Sequence, residues 1–293
     1  MTDDRWIDLH THSTASDGSF TPVELIRYAA TKRLRALALT DHDCVDGVDE
    51  AAAEGARLGI EVIPAVELSA DHPDGTMHIL GFFVDRRNEG FGGRLRRLQE
   101  ARRERNPKIV QKLQALGLKI TYDEVVAASG GGQVGRPHFA KVLIQKGYVS
   151  STPEAFERYL KKGAPGYVEK FRFSPQDAIA AIHEAGGVAV LAHPFTLFKE
   201  PSPLLEPLLD TLSETGLDGM EVIYSTYSEE QSRYYRELAG KYRLLPSGGS
   251  DFHGAHKPGI DLGVGLGKLH VPFELLESLR KKARGYGASA QTN

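Results

Sequence analysis

Short apolar runs alternate with amphipathic helical patterns along the first part of the chain. Strands are predicted at residues 6–10, 36–40, 61–68 and 77–84. One helix is predicted from a capping box at Thr21 to about Lys32, and a second from Val48 to Leu58, where Gly59 ends it. Alternation of this kind is typical of parallel β-α-β units with right-handed crossovers.

The pattern changes after a polar, glycine-containing linker at residues 85–93. Only helices are predicted next, at 94–105, 107–116, 122–128, 137–146 and 153–160, with Pro107 breaking the first stretch. A helix at 175–185 and strands at 188–193, 219–223, 244–246 and 262–264 follow. The chain is therefore predicted to be an α/β protein with a barrel in two parts (1–90 and 170–285), a helical insertion (91–169) and a flexible tail (286–293).

Composition narrows the class of protein. The 293 residues include 36 basic and 39 acidic side chains, and the net charge of −3 excludes a generally basic nucleic-acid coat protein. A single cysteine, Cys44, excludes an intrachain disulfide framework and a zinc site built on thiolates. No apolar stretch reaches the roughly 18 residues of a membrane helix, and residues 1–10 do not resemble a signal peptide. We expect a cytoplasmic enzyme with no obligate protein partner.

Histidines and acids cluster at the ends of the predicted strands. In a β/α barrel these ends share one face, where active sites are built. His10 and His12 lie two residues apart on one face of a strand, and Asp8 on the same face is expected to orient one of the imidazoles. The predicted metal ligands are His10, His12, Asp17, His42, Glu67, His78, His193, Asp251 and His253. Imidazole with carboxylate suits Mn²⁺, Fe²⁺ or Zn²⁺ better than Ca²⁺.

The same segments resemble the successive motifs of the PHP (polymerase and histidinol phosphatase) phosphoesterases. They are DLHTHS at 8–13, TDHD at 40–43, Glu67, AHP at 192–194 and GSDFH at 249–253. The resemblance implies a distorted (β/α)₇ barrel with three divalent metal ions, Mn²⁺ being favoured. It implies one metal on His10, His12, Glu67 and Asp251, a second on Glu67, His78 and His193, and a third on Asp17, His42 and His253. Some family members have histidine in place of Asp17, which indicates a weaker or differently selective third site.

The insertion carries basic residues that call for an anionic partner. Arg102 and Arg105 fall within the apolar stripe of a helix, and a buried charge without a partner is costly. The glycine-rich loop at 130–135 leads into a helix start with Arg136 and His138, a plausible phosphate site. We predict that these four side chains bind a substrate phosphate.

Within the PHP family, the insertion resembles that of the 3′,5′-nucleoside bisphosphate phosphatases, also described as 5′→3′ exoribonucleases. The resemblance implies release of the 3′-phosphate from adenosine 3′,5′-bisphosphate to give AMP, and removal of 5′ nucleotides from phosphorylated RNA. The catalytic residues would be His10, His12, Glu67, Asp251 and His253. Phe195 or Tyr224 could stack on the base, although aromatic side chains at strand ends more commonly pack in the core.

Two alternatives remain open at the level of sequence. A histidinol-phosphate-type or other PHP phosphatase would use the same metal ligands, but a substrate with one phosphate gives the insertion's arginines no second anion to bind. A non-catalytic regulator that holds metal and nucleotide belongs to another class of protein. The presence of all nine predicted ligands argues against a degenerate, non-catalytic domain.

Overall fold

A computed structural model of the protein describes residues 6–73, 75–198 and 202–290. Seven strands in this part of the chain form one sheet in sequence order: β1 (Ile7–Thr11), β2 (Ala36–Leu39), β3 (Glu61–Ala70), β4 (Met77–Phe82), β5 (Val188–Leu191), β6 (Gly219–Tyr224) and β7 (Leu245–Gly249).

The barrel helices are α1 (Pro22–Thr31), α2 (Val48–Leu58), α7 (Pro175–Glu184), α8 (Leu205–Glu214), α9 (Glu229–Lys241) and α10 (Phe273–Ala290). Between β4 and β5 lie α3 (Glu89–Ala115), α4 (Tyr122–Ala128), α5 (Arg136–Gln145) and α6 (Thr152–Ala155), which continues as a π-helix at Phe156–Leu160.

The sheet closes nearly into a barrel because the chain after β7 returns to β1. The backbone N–H of His12 donates to the Phe252 carbonyl at 2.9 Å, and that of Asp251 donates to the His10 carbonyl at 2.8 Å. A Cβ atom on Gly249 would lie 2.4 Å from the His10 nitrogen, so this approach requires glycine. The predicted α/β class and seven-stranded barrel are confirmed.

Strand β4 departs from the predicted parallel arrangement. It pairs antiparallel with both β3 and β5, whereas the other neighbouring strands are parallel. The connection at residues 71–76 is too short for a helical crossover, so the chain turns directly back on itself. The strand predicted at 262–264 is also wrong. Gly263 and Gly265 have φ values of 74° and 56°, and the segment forms a turn.

Helix α3 is longer and more continuous than predicted. It begins at Glu89, where the Asn88 side chain accepts a hydrogen bond from the Phe91 N–H, so most of the predicted linker is absent. It also continues through Pro107, although proline lacks a backbone donor and typically costs about 3 kcal/mol inside a helix. Buried side chains on the preceding turn anchor the helix there: Arg102 donates to a barrel carboxylate, and Asn106 donates to the Val134 carbonyl.

Helix α3 also connects two hydrophobic cores. Phe91, Leu95 and Leu98 pack in the large core around the sheet, whereas Ile109 and Leu113 pack with α4, α5 and the π-helix in a separate core. The first half of α3 therefore belongs to the barrel and the second half to the helical segment. This continuity holds the helical segment against the barrel.

The C-terminal helix continues into the segment predicted as a flexible tail. Helix α10 extends to Ala290, and the Tyr286 hydroxyl donates to Asp218 at 2.5 Å. Residues 291–293, the end of the predicted tail, lie outside the described residues. Within the described parts of the chain, no helix is long and apolar enough to cross a membrane.

Candidate active site

The carboxylate of Glu67, on β3, is surrounded by imidazole nitrogens. Its Oε2 atom lies 3.3, 3.2 and 3.1 Å from nitrogens of His10, His12 and His42. Its Oε1 atom lies 2.7 and 3.0 Å from nitrogens of two further histidines, His78 and His193. Histidines from four segments of the barrel therefore converge on one buried side chain.

Two further acids extend this cluster. Asp251 Oδ1 lies 3.4 Å from His12 Nε2 and 3.2 Å from His253 Nδ1. Asp17 Oδ1 lies 3.2 Å from His253 Nε2, and its Oδ2 lies 3.8 Å from His42 Nε2. All nine residues predicted as metal ligands thus lie together, and we call this group the histidine–carboxylate centre.

Local backbone geometry at the strand ends contributes to this convergence. His193 follows β5 with φ at 25°, and Asp251 follows β7 with φ at 55°. Such values cost non-glycine residues about 1–3 kcal/mol and are concentrated at functional sites. Both residues lie two positions after the end of a strand, at the face of the barrel where His10 and His12 flank the last residue of β1.

The donor atoms of the centre fit divalent metal ions. Four of its buried atoms have no hydrogen-bond partner: His10 Nε2, His12 Nε2, His42 Nδ1 and Glu67 Oε2. Buried polar atoms are nearly always satisfied, so a cation is the simplest partner for this set. The compact donor groups are His12, Asp17, His42 and His253; His10, His12 and Glu67; His10, His193 and Asp251; and His42, Glu67 and His78.

These groups overlap with the three ligand sets implied by the family resemblance without matching them throughout. His42 groups with Glu67 and His78, and His193 groups with His10 and Asp251. The distribution of individual residues among individual metal ions therefore stays a prediction.

Charges within the centre also favour a bound cation. Burial disfavours a charged His12, but Asp251 and Glu67 outweigh burial and raise its pKa to about 9. Burial alone would raise the pKa of Glu67, yet the surrounding histidines hold it well below its ordinary value. A metal ion would replace the protons that the carboxylates attract to these imidazoles, because histidine binds metal in its deprotonated form.

A carboxylate outside the predicted set contacts two of the histidines, one through its imidazole ring and the other through its backbone. Glu221, on β6, places Oε1 3.0 Å from His10 Nδ1, and its Oε2 accepts the backbone N–H of His193 at 2.7 Å. Sequence reasoning missed Glu221, although an acid within an otherwise apolar strand was an available signal. The corresponding prediction for Asp8 is wrong, because its carboxylate accepts backbone N–H groups of His10, Ser250 and Gly263 instead.

We predict that Glu221→Gln lowers kcat/KM by about 10- to 100-fold, the usual cost of losing an outer partner of a metal ligand. A glutamine amide could still accept from one of the two donors, but its NH₂ group would then face the other. The measurement is kcat/KM together with metal content. Glu206→Gln, which removes an exposed carboxylate paired with Lys241, is the control. Equal values for Glu221→Gln and the wild type would contradict the role of Glu221.

Asp251 is held from its other side by two donors that were not predicted for this role. The Tyr224 hydroxyl and the Lys257 ammonium both donate to Asp251 Oδ2, each at 2.5 Å. Lys257 also donates to the Tyr224 hydroxyl at 2.9 Å. Tyr224 therefore fixes the orientation of a carboxylate in the centre, which is a polar role in addition to packing.

A cavity of about 630 Å³ joins the histidine–carboxylate centre to a group of basic side chains. We call this group the basic wall: Arg102, Arg105, Arg136, Lys170 and Arg172. Phe195 and Phe156 add apolar surface to the same cavity. The cavity therefore brings metal-binding groups and a group of cations to one space.

Arg102 is buried, as its place in the apolar stripe predicts, but it has an anionic partner within the protein. Its Nε and Nη2 atoms donate to Asp43 Oδ2 at 2.9 and 2.6 Å, and Nη2 also donates to Ser69 Oγ. Burial would raise the pKa of Asp43, but the charges of Lys170 and Arg102 keep it lowered. Arg102 thus attaches the insertion to the barrel, and its charge is largely compensated.

Arg105 and Arg136 have no carboxylate partner among the described residues. Arg105 donates through Nε and Nη2 to Asn106 Oδ1, and burial, with the charges of neighbouring arginines, lowers its pKa to about 9. Arg136 donates to the Leu160 carbonyl, and its guanidinium lies 5.4 Å from the centre of the Phe156 ring. Both side chains line the cavity and remain suited to bind an anion.

The structure gives His138 a role other than the predicted phosphate contact. His138 is fully buried and does not line the cavity. Its Nδ1 accepts the backbone N–H of Gly135 at 2.9 Å, so the ring caps the start of its own helix.

The glycine-rich loop before α5 likewise makes its contacts with other parts of the protein. Gly132 packs directly on the Thr14 carbonyl, where a Cβ atom would overlap it at 1.5 Å. The N–H groups of Gly130 and Gly132 donate to carbonyls of the preceding turn, and the Gln133 side chain donates to the His42 carbonyl. The predicted loop site for phosphate is therefore wrong, because the loop attaches the insertion to the barrel.

Comparison with known proteins agrees with this geometry. Residues 8–169 match the family described as the PHP domain. The chain belongs to the PHP family. It is 37% identical over 258 residues to a 3′,5′-nucleoside bisphosphate phosphatase from Chromobacterium violaceum, covering 88% of this chain and 90% of the relative. It is 36% identical over 246 residues to a 5′-3′ exoribonuclease from Haemophilus influenzae, covering 84% and 89%.

A solved structure extends the likeness to the whole fold. The chain superimposes with a TM-score of 0.85 on a metal-dependent phosphoesterase from Bifidobacterium adolescentis, at 30% identity, covering 95% of this chain and 96% of that one. This PHP protein is accordingly a metal-dependent phosphoesterase, and the histidine–carboxylate centre contains donor groups that fit divalent metal ions.

Proposed function

We propose that the protein hydrolyses the 3′-phosphate of nucleoside 3′,5′-bisphosphates, for example adenosine 3′,5′-bisphosphate to AMP and phosphate. The observation that carries this proposal is one cavity bounded by the histidine–carboxylate centre and by basic residues without carboxylate partners. Such a cavity fits a small molecule with two phosphates, one for each side. A relative named as a 3′,5′-nucleoside bisphosphate phosphatase supports the proposal.

The roles of the residues that line the cavity follow from their charges. Divalent ions, when bound, would lower the pKa of coordinated water and would neutralise charge on the phosphoryl oxygens. Glu67, Asp251 and the histidines would hold those ions, and Glu221 orients His10. Arg105 and Arg136 bind the 5′-phosphate, which is not hydrolysed, and so keep the ribose in one orientation. The free energy of binding this phosphate is thereby used to position the 3′-phosphate for reaction. Mn²⁺ is the proposed ion, ahead of Fe²⁺ and Zn²⁺.

The same arrangement extends to RNA that carries a 5′-phosphate. A terminal 5′-phosphate would bind at the basic wall and the next phosphodiester would lie at the centre, so nucleotides would leave one at a time from the 5′ end. The relative named as a 5′-3′ exoribonuclease favours this second substrate. Nucleotides and RNA 5′ ends are thus the proposed partners, and the cytoplasm is the proposed site of action.

Phosphate release from a panel of substrates tests the proposal. The purified protein, supplied with Mn²⁺, is assayed with adenosine 3′,5′-bisphosphate, adenosine 3′-monophosphate, AMP and histidinol phosphate. We expect the highest kcat/KM for the bisphosphate. A higher value for histidinol phosphate would favour another PHP phosphatase activity, and no release from any substrate would favour a non-catalytic regulator. The variants Asp251→Ala and His253→Ala serve as inactive controls.

A further inference from the structure

Lys170 is a buried lysine whose ammonium group makes no hydrogen bond to the described residues. Its side chain is 4% exposed, and its Nζ atom has no hydrogen-bond partner among the described residues. An ammonium group carries three N–H donors, and leaving a charged group buried without hydrogen bonds is costly. Some further group is needed to complete this environment.

The nearest carboxylate does not meet this need. Lys170 Nζ lies 3.5 Å from Asp43 Oδ2, but that oxygen already accepts two hydrogen bonds from Arg102 and one from Ser69. Burial lowers the pKa of Lys170 well below its ordinary value, and the charges of Arg102, Arg105 and Arg172 act in the same direction against Asp43. The surroundings of Lys170 thus carry more positive than negative charge.

The position of Lys170 identifies the missing partner as an anion in the cavity. Lys170 belongs to the basic wall and lines the same cavity as Ser69, His78 and Arg105. A phosphate there would supply several acceptor oxygens and would favour the charged form of the amine. Arg102 differs from Lys170, because its Nε and Nη2 donors are already used on the barrel.

We propose that Lys170 is a specificity-determining residue that binds the second phosphate of the substrate together with Arg105, while Arg102 holds the insertion in place. This inference rests on the proposed function, since it assigns a contact to the phosphate that is not hydrolysed. It makes Lys170, with Arg105 and Arg136, one of the residues that distinguish a bisphosphate from a monophosphate.

Two substrates and two variants test the assignment. Lys170→Met removes the amine and keeps most of the apolar stem, whereas Lys170→Arg keeps a cation. For Lys170→Met we expect kcat/KM to fall by roughly 10- to 100-fold with adenosine 3′,5′-bisphosphate, the range for a hydrogen bond to a charged group. With adenosine 3′-monophosphate it should change less than about threefold, because no second phosphate is present. Lys170→Arg should recover most of the loss.

A binding measurement tests the role of Lys170 without relying on catalytic turnover. Metal-free protein is titrated with AMP and with adenosine by calorimetry, and Lys170→Met should weaken AMP binding by a similar factor without changing adenosine binding. Lys170→Gln provides a second neutral variant if the methionine variant does not fold. Lys241→Met, which removes an exposed lysine paired with Glu206, is the matched control.

The outcomes separate the two proposals. Equal losses with both phosphorylated substrates, or unchanged AMP binding in Lys170→Met, would overturn the role of Lys170 even if the wild type is an active bisphosphate phosphatase. If the wild type releases no phosphate from either substrate, the proposed function fails. The AMP titration then still decides whether Lys170 binds a phosphate.

Discussion

Replacing Glu67 with glutamine is expected to abolish turnover and to reduce the metal content of the purified protein. Both carboxylate oxygens lie within 3.3 Å of imidazole nitrogens from five histidines, and Oε2 has no hydrogen-bond partner. An amide removes the negative charge and turns one acceptor into a donor. The loss should exceed the roughly 100-fold that follows removal of an outer partner of a metal ligand.

The measurements for Glu67→Gln are kcat with excess Mn²⁺ and metal content by elemental analysis. Glu54→Gln is a matched control, because Glu54 is a carboxylate of α2 that pairs with Arg27 and Arg57 outside the site. The control should retain metal and activity. Wild-type metal content and turnover in Glu67→Gln would show that Glu67 is not a central ligand.

Removing the metal is expected to abolish phosphate release and to lower Tm by roughly 6–16 °C for each ion lost. Without cations, the centre holds three acids and six histidines in contact, with four buried donor or acceptor atoms unsatisfied. An ion at 100 to 1,000 times its Kd stabilises the folded state by about 3–4 kcal/mol per site. For a chain of this size, each kcal/mol shifts Tm by roughly 2–4 °C.

Chelator-treated protein with and without added Mn²⁺ provides this comparison, by calorimetry and by phosphate release. Mn²⁺ should restore both Tm and activity in the wild type, and restore neither fully in Glu67→Gln. Full activity after exhaustive removal of metal would contradict a metal-dependent reaction. An unchanged Tm would show that the centre does not couple metal binding to folding.

The convergence of the predicted ligands could be inferred from sequence because strand ends are easy to recognise. His10, His12, Glu67 and His193 each lie at or near the end of a clear apolar run, and a barrel brings such ends to one face. The partners of these residues were harder to infer. Whether Glu221 or Asp8 reaches the His10 ring depends on how β6 is placed relative to β1 across β7, which no local pattern encodes.

The basic wall shows a second limit of sequence reasoning. The helical spacing of Arg102 and Arg105 correctly indicated two buried arginines, but it did not reveal that Asp43 compensates Arg102. That pairing joins residues far apart in sequence. Lys170 lies in a segment without helical or strand periodicity, so only its burial in three dimensions sets it apart.

Pro107 illustrates how tertiary contacts override a local rule. Proline ordinarily ends or kinks a helix, and the sequence therefore predicts two helices in place of α3. The contacts of Arg102 and Asn106 with the barrel and the neighbouring loop hold the preceding turn, and Ile109 packs in the helical core. The continuous helix keeps Arg105 beside the cavity.

The identity of the product formed from adenosine 3′,5′-bisphosphate tests the central claim most directly. The histidine–carboxylate centre should act on the 3′-phosphate while the basic wall retains the 5′-phosphate. Phosphorus NMR of a reaction with Mn²⁺ should therefore show AMP and inorganic phosphate as the products. Adenosine 3′-monophosphate as the product, or no product at all, would contradict the assignment of the two sides of the cavity.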